Sequence, residues 1–255
     1  MPRPSLSPVH FPSPWASSWG EDACGLWLTF SLNGIRQLFR WIRPGSFLIG
    51  APEEETEGYF LPSKEPQHEV RLPQGFWLAE TVVTQELWQM VMKSNPSGFS
   101  GPQHPVERVS WLDAQHFLQR LNALILGLTA RLPTEAEWEY ACRAGTTTPF
   151  SFGEEITPEQ VNYNPNDEEG KKLYRRQTVP VKSLPANAWG LYEMHGNVWE
   201  WCQDAWQDTL EQERGDLRVV RGGSWVCGAG YVRSACRDRY YDDYTNGSIG
   251  FRLAI

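Results

Sequence analysis

The sequence predicts an α+β domain in which loops outweigh regular elements, and three observations carry that expectation. Only three segments combine a helix cap with apolar residues at 3.6-residue spacing. From about residue 146 to 255 the chain runs through Gly-, Asn- and Asp-rich loops between short apolar stretches. It also holds thirteen tryptophans. Rings in that number fit a core of large side chains on irregular backbone, because few regular elements need so many.

Residues 1–22 are rich in Pro and Ser and show no period, so a flexible leader without a fold of its own is expected. The remaining chain, 23–255, is long enough to bury one sizeable core, and a single domain is the expectation. Residues 25–41 contain two apolar-rich runs on either side of Asn33-Gly34, the strongest short hairpin signal because both residues tolerate positive φ. A short strand follows at 47–50, and Glu53 to Lys64 reads as an acidic loop. Thr84 caps a first helix whose Leu87, Met90 and Val91 share a face, ending before Asn95-Pro96. Ser110 caps a second, with Ala114, Phe117, Leu118 and Leu121 on one stripe. In the third, Thr134 and Glu137 form a capping box, Glu139 and Arg143 stand four apart, and Gly145 supplies the stop.

Composition excludes several classes of function. A net charge of -8 argues against a nucleic-acid partner, whose phosphates are met by basic surfaces. No apolar run has the length of a membrane span, and residues 1–20 lack the apolar core of a signal peptide, so a cytoplasmic setting is expected. Five cysteines (Cys24, Cys142, Cys202, Cys227, Cys236), odd in number and without CxxC, suggest neither a disulfide framework nor a zinc site. The five histidines form no HxxxH pair, and His68 and His195 read as packing histidines.

Six motifs follow in order: Trp77 with Thr84-Gln85; Pro105-Val106-Glu107 with Val109-Ser110-Trp111; Arg131 through Glu139; Gly196-Asn197-Val198-Trp199-Glu200-Trp201; Arg221-Gly222-Gly223-Ser224-Trp225; and Gly250-Phe251-Arg252-Leu253. Over about residues 38–255 the chain resembles the formylglycine-generating enzyme (sulfatase-modifying factor) family. That resemblance implies a C-type-lectin-like fold. It also implies an oxidase that holds copper between two cysteine thiolates, ligands suited to Cu(I). The first family cysteine falls on Cys227 and the second on Val232. One thiolate cannot form the two-sulfur site, so copper and a catalytic role for Cys227 are not expected. The resemblance further implies a structural calcium site, with carbonyls of Gly196 and Val198 and side-chain oxygens of Glu193 and Glu200. Glu200 reads equally as a hydrogen-bonding bracket between two tryptophans. A second family site at Asn162 and Tyr163 lacks its downstream aspartate near Leu173.

Between Trp225 and Ile249 the filling, residues 226–248, contains no Lys, Glu, Gln, Met or Trp. Its residues away from the presumed anchors Arg233-Ser234-Ala235, Arg237 and Asp243 are ones that an AAY asparagine codon yields when only its adenines change. In this the chain resembles variable proteins of diversity-generating retroelements, which place such codons before a terminal GFRL-like strand. The candidate ligand-binding positions are Val226, Cys227, Gly228, Gly230, Tyr231, Cys236 and Asp238, followed by Arg239, Tyr240, Tyr241, Tyr244, Asn246, Gly247 and Ser248. Tyrosine supplies rigid amphipathic area and Gly, Asn and Ser adaptable polar contact, as in antibody paratopes. Asp242 and Asp243 bias the patch toward a cationic partner. The expected function is non-enzymatic binding of a protein or other macromolecule through a hypervariable surface. The alternatives are a copper-dependent oxidase of protein cysteine and a fixed interaction module.

Overall fold

The computed structural model describes residues 6–56, 66–165, 168–207 and 216–255. In chain order the strands and helices are β1 (Ser18–Asp22), β2 (Gly25–Leu32), β3 (Ile35–Ile42), β4 (Gly45–Ile49), α1 (Glu53–Thr56), β5 (His68–Leu72), β6 (Phe76–Val82), α2 (Gln85–Met92), α3 (Trp111–Leu124), α4 (Glu135–Arg143), α5 (Glu168–Lys172), β7 (Trp199–Ala205), β8 (Leu217–Arg221), β9 (Arg237–Tyr241), β10 (Ile249–Gly250) and β11 (Arg252–Ala254). The expected α+β, loop-rich architecture with few helices is the observed one.

The hairpin at Asn33-Gly34 forms as expected: φ is +51° and +87° at the two residues, and β2 pairs with β3 from Leu32↔Ile35 to Trp27↔Arg40. Adding β1, β6 and β11 gives a five-stranded antiparallel sheet in the order β1-β2-β3-β6-β11. Every residue of β6 is buried, as a strand covered on both faces requires. The C-terminal strand therefore closes against the middle of the chain, with Trp77 and Ile255 exchanging backbone hydrogen bonds at 3.2 and 2.9 Å. A four-stranded sheet, β10-β7-β8-β9, carries the later motifs, and β4 and β5 form a separate hairpin. α2 and α3 pack through stacked Trp88 and Phe117 rings (5.3 Å, 4°), with Phe251 edge-on to Phe117 at 5.4 Å.

All three caps form, with both halves of the box at Ser110/Asp113 and at Thr134/Glu137. The third helix stops on Ala144 in the left-handed region, one residue before the expected Gly145. Of the acidic loop, Glu53–Thr56 is a single helical turn, and 57–64 lies outside the described residues.

The flexible leader is corrected. Residues 18–22 are the edge strand β1, paired through Trp19↔Leu28. Upstream, Phe11 stacks on Trp77 (5.8 Å, 19°), Trp15 meets Phe39 edge-on at 6.2 Å, and the Trp41 indole donates to the Leu6 carbonyl at 2.9 Å. Pro and Ser dominate the count, but the rings of Phe11 and Trp15 hold the segment to the sheet by burying aromatic surface against the core. Residues 1–5 lie outside the described part.

Tryptophan indoles tie the long loops. Trp111 donates to the Cys202 carbonyl (2.9 Å), Trp201 to Val109 (3.0 Å) and Trp225 to Gly247 (3.1 Å), each across more than twenty residues of sequence. All five cysteines are free. Among the described residues, no helix is long and apolar enough to cross a membrane.

Candidate functional site

The base of the C-terminal loop is an ion-pair frame supplied by α4. Because Glu135 and Glu139 stand four apart, one face of the helix presents both carboxylates to β8 and β9. Arg221 at the end of β8 is fully buried, pairs with Glu139, lies 3.5 Å from Glu135, and donates to the carbonyls of Ser234 (2.9 Å) and Ala235 (3.1 Å). Arg237 at the start of β9 forms a fork with Glu135 at 2.7 and 2.6 Å. Arg143 takes the other oxygen of Glu139 at 2.8 Å, so each carboxylate of the frame is shared between two guanidiniums. Arg233 pairs with Glu55. The presumed anchors at 233–235 and 237 are therefore structural. Asp243 is exposed.

Two glycines then turn the chain. Gly222 and Gly223 have φ of +92° and +68°, and a Cβ on Gly222 would sit 2.9 Å from the Trp138 ring. A side chain at either position would be strained by conformation and blocked by packing, which explains the Gly-Gly-Ser-Trp motif.

Beyond the turn, fixed elements hold the loop by its main chain. The Asn164 N–H donates to the Cys227 carbonyl (2.8 Å), and Leu112 at the start of α3 donates to Asp242 (3.1 Å). Arg108 donates to Asn246 (3.0 Å), Trp199 to Ser248 (2.8 Å), and the Trp225 indole to Gly247. From the loop side, Ser234 N–H donates to Pro149 and Asp242 N–H to Asp216, both at 2.8 Å. In each case the loop contributes only backbone atoms. Its path is thus set without reference to most of its side chains.

The candidate ligand positions divide. Val226 (47%), Tyr241 (42%) and Tyr244 (37%) are exposed, as is Asn246. Cys227, Gly228, Tyr231, Asp238, Arg239, Tyr240 and Gly247 are half-buried. Gly230, Cys236 and Ser248 are corrected: all three are buried, Cys236 inside the main core where burial pushes its thiol up to about 12. The expectation of a patternless filling fails between 237 and 241, where β9 pairs in register with β8. Alternation along that strand explains part of the tyrosine spacing. Tyr240 stacks on Tyr244 (4.7 Å, 8°) and lies edge-on to Trp201 (6.4 Å), while its neighbour Tyr241 faces outward. Burial raises the Tyr240 phenol and the Asp238 carboxyl above their ordinary ranges.

Fixed residues that composition missed share this face. Leu112 is 49% exposed at the α3 terminus that holds Asp242, and Leu173 is 48% exposed beside Tyr174, whose ring stacks on Trp225 at 6.4 Å. No local signal marks Leu112; only its contact to the loop at Asp242 does.

The copper position is incomplete. Cys227 Sγ lies 3.3 Å from Ser224 Oγ, and burial raises its thiol despite that contact. Val232 is fully buried against Phe150, Val161 and Tyr163, an apolar setting with no second thiolate. The calcium cradle fares similarly. Both oxygens of Glu200 are taken by Arg252, Nε to Oε2 and Nη2 to Oε1 at 2.6 Å each, and the Trp138 indole adds 2.8 Å to Oε2. A carboxylate so occupied is a bracket and does not fit a cation ligand. Glu193 Oε2 accepts from the Lys182 N–H at 3.2 Å, Oε1 is buried without a hydrogen bond, and burial pushes this carboxyl up to about 7. The Gly196 N–H is used by the Gly222 carbonyl at 2.7 Å. His195 is a packing histidine: buried, held at 2.7 Å to the Val232 carbonyl and 3.0 Å to Ser151 Oγ, and lowered to about 4 by burial.

Residues 37–255 match the family described as sulfatase-modifying factor enzyme 1-like domain. This chain belongs to that family. Within it, the chain is 37% identical over 174 residues to the formylglycine-generating enzyme of Streptomyces coelicolor, covering 60% of this chain and 53% of that protein. It spans about half the length of the curated formylglycine-generating enzymes it matches. Among solved structures it is similar to Treponema denticola variable protein 1, with a TM-score of 0.71 and 27% identity over 89% of this chain and 98% of that one. PvdO from Pseudomonas aeruginosa gives a TM-score of 0.72 at 25% identity, covering 94% and 98%. Both halves of the resemblance read from the motifs, the enzyme family and the variable proteins, are thus found among this domain's relatives.

Proposed function

We propose that this member of the sulfatase-modifying factor enzyme 1-like family is a non-enzymatic binding protein whose segment 226–248 displays a hypervariable surface to a protein ligand. One observation carries the reading: apart from the Arg233 and Arg237 ion pairs and buried Cys236, the framework grips the segment through backbone atoms, while Val226, Tyr241, Tyr244 and Asn246 point outward. Side chains can then be exchanged without moving the surface that carries them, a property a fixed enzyme site does not need. The buried Val232, near a Cys227 thiol that burial raises, supports the absence of two-thiolate copper chemistry. Exposed tyrosines beside Asp242 and Asp243 favour a partner surface with positive charge. The cytoplasm is the compartment proposed for it, in keeping with five free cysteines.

The test is the DNA around the gene. A reverse-transcriptase gene should lie nearby with a near-copy of the terminal coding segment, differing at adenines in codons for the outward positions. If neither is present, diversification fails and a fixed interaction module replaces it. A Cu(I) titration addresses the enzyme alternative. Stoichiometric binding that Cys227→Ser abolishes would overturn the proposal.

A further inference from the structure

The displayed loop contains an Asn-Gly pair whose surroundings resemble a reaction site. In Asn246-Gly247 the residue after the amide lacks a Cβ, so its main-chain nitrogen can reach the asparagine Cγ with little steric opposition. Asn246 is exposed, and the nearest atom to an added Cβ at Gly247 is 3.5 Å away. Among the described residues nothing accepts a hydrogen bond from the Gly247 N–H. The neighbouring groups bear on both ends of the amide. Ser248 donates twice to Asn246 Oδ1, from its N–H and its Oγ, each at 3.1 Å. Asn246 Nδ2 meets the Tyr244 phenol oxygen, also at 3.1 Å.

We propose that Asn246 is a self-modification site at which the loop closes a succinimide and opens to aspartate or isoaspartate. The Gly247 N–H loses its proton to solvent hydroxide, and the nitrogen forms a bond to Asn246 Cγ. Negative charge collects on Oδ1, where the two Ser248 donors stabilise it as oxyanion-hole donors do. The Cγ–Nδ2 bond then breaks. The departing nitrogen takes a proton from the Tyr244 hydroxyl beside it or from water, and leaves as ammonia. Water adds to the ring and opens it. The sum is one water consumed and one ammonia released, with no change of oxidation state.

The chain provides its own comparison. Asn33-Gly34 is also exposed, but its Nδ2 faces the Met90 sulfur at 3.3 Å, and its Oδ1 receives no donor among the described residues. The product at 246 adds a negative charge to the segment that already carries Asp242 and Asp243, and the iso form lengthens the backbone by one methylene between the Arg108 and Trp225 contacts. The surface would change chemically without any change of gene. This inference stands on loop chemistry alone and does not require the display reading.

The experiment is peptide mapping by mass spectrometry of the full chain, held in mildly alkaline buffer at physiological temperature and sampled over days. Asn246 should gain the mass of the amide-to-acid exchange faster than Asn33 in the same molecules. Ser248→Ala, which removes one donor and keeps the other, should slow Asn246 relative to Asn33 by about fivefold, the worth of one hydrogen bond to the developing charge. Conversion of Asn33 at an equal or greater rate would overturn the proposal. So would an unchanged or increased ratio in Ser248→Ala. Because Asn33 reports on the same molecules, a general loosening of the fold does not imitate the expected result.

Discussion

The reading of Glu200 as a bracket and not a cation ligand makes a strong demand on stability. Glu200 and Arg252 are 1% and 0% exposed, and the guanidinium spends two of its donors on the two carboxylate oxygens. Glu200→Gln keeps the shape and removes the charge. Arg252 would retain its contacts to the carbonyls of Ala79 (3.1 Å), Glu80 (3.5 Å) and Tyr192 (3.0 Å) and would face a neutral amide, leaving a buried cation without its bonded counter-charge. Breaking such a pair costs about 3–5 kcal/mol. For a domain of this size, at ~2–4 °C per kcal/mol, the melting temperature should fall by about 6–20 °C. Circular dichroism melts of both proteins, each with calcium and with a chelator, separate the two roles. A bound cation would raise the wild-type midpoint by linkage, by ~2.7 kcal/mol at a hundredfold excess over Kd. A wild-type midpoint that falls on chelation, together with a Glu200→Gln effect under about 1 kcal/mol, would refute the bracket and restore the cation site.

Three further outcomes are expected. Tyr241→Ala and Tyr244→Ala should each cost less than about 1 kcal/mol, whereas Tyr240→Ala, truncated between Trp201 and Tyr244, should cost about 2 kcal/mol; denaturant titration of the three variants decides whether the exposed pair is core. Since burial raises the Cys227 thiol, its thiolate fraction at neutral pH is small. Iodoacetamide should therefore label exposed Cys24 first and reach Cys227 at a useful rate only as pH rises above the ordinary thiol range, a sequence that a pH series with peptide mapping checks. Phe11→Ala should lower stability by about 1–2 kcal/mol if the N-terminal segment belongs to the domain, and a thermal shift near zero would return it to a flexible leader.

What the amino-acid sequence determined by itself was local or ordinal. Caps at Thr84, Ser110 and Thr134 act over three residues, the Asn33-Gly34 turn acts over two, and the six motifs need only their order to place the chain in its family. The loss of the second thiolate was equally legible, because Val232 occupies a counted position. The tertiary structure decided matters of partnership. Glu200 met Arg252 across 52 residues, and Glu135 met Arg237 across 102. Neither pairing has a sequence period, since ion pairs form wherever the fold delivers opposite charges into the same dry volume. The same holds for the display segment. Its composition marked it as a surface, but burial removed Gly230, Cys236 and Ser248 from it, and contacts from α3 added Leu112. The Pro- and Ser-rich N-terminus looked unstructured because composition averages over residues, while two rings, Phe11 and Trp15, bind through shape to a sheet that exists only once β2, β3 and β6 have assembled.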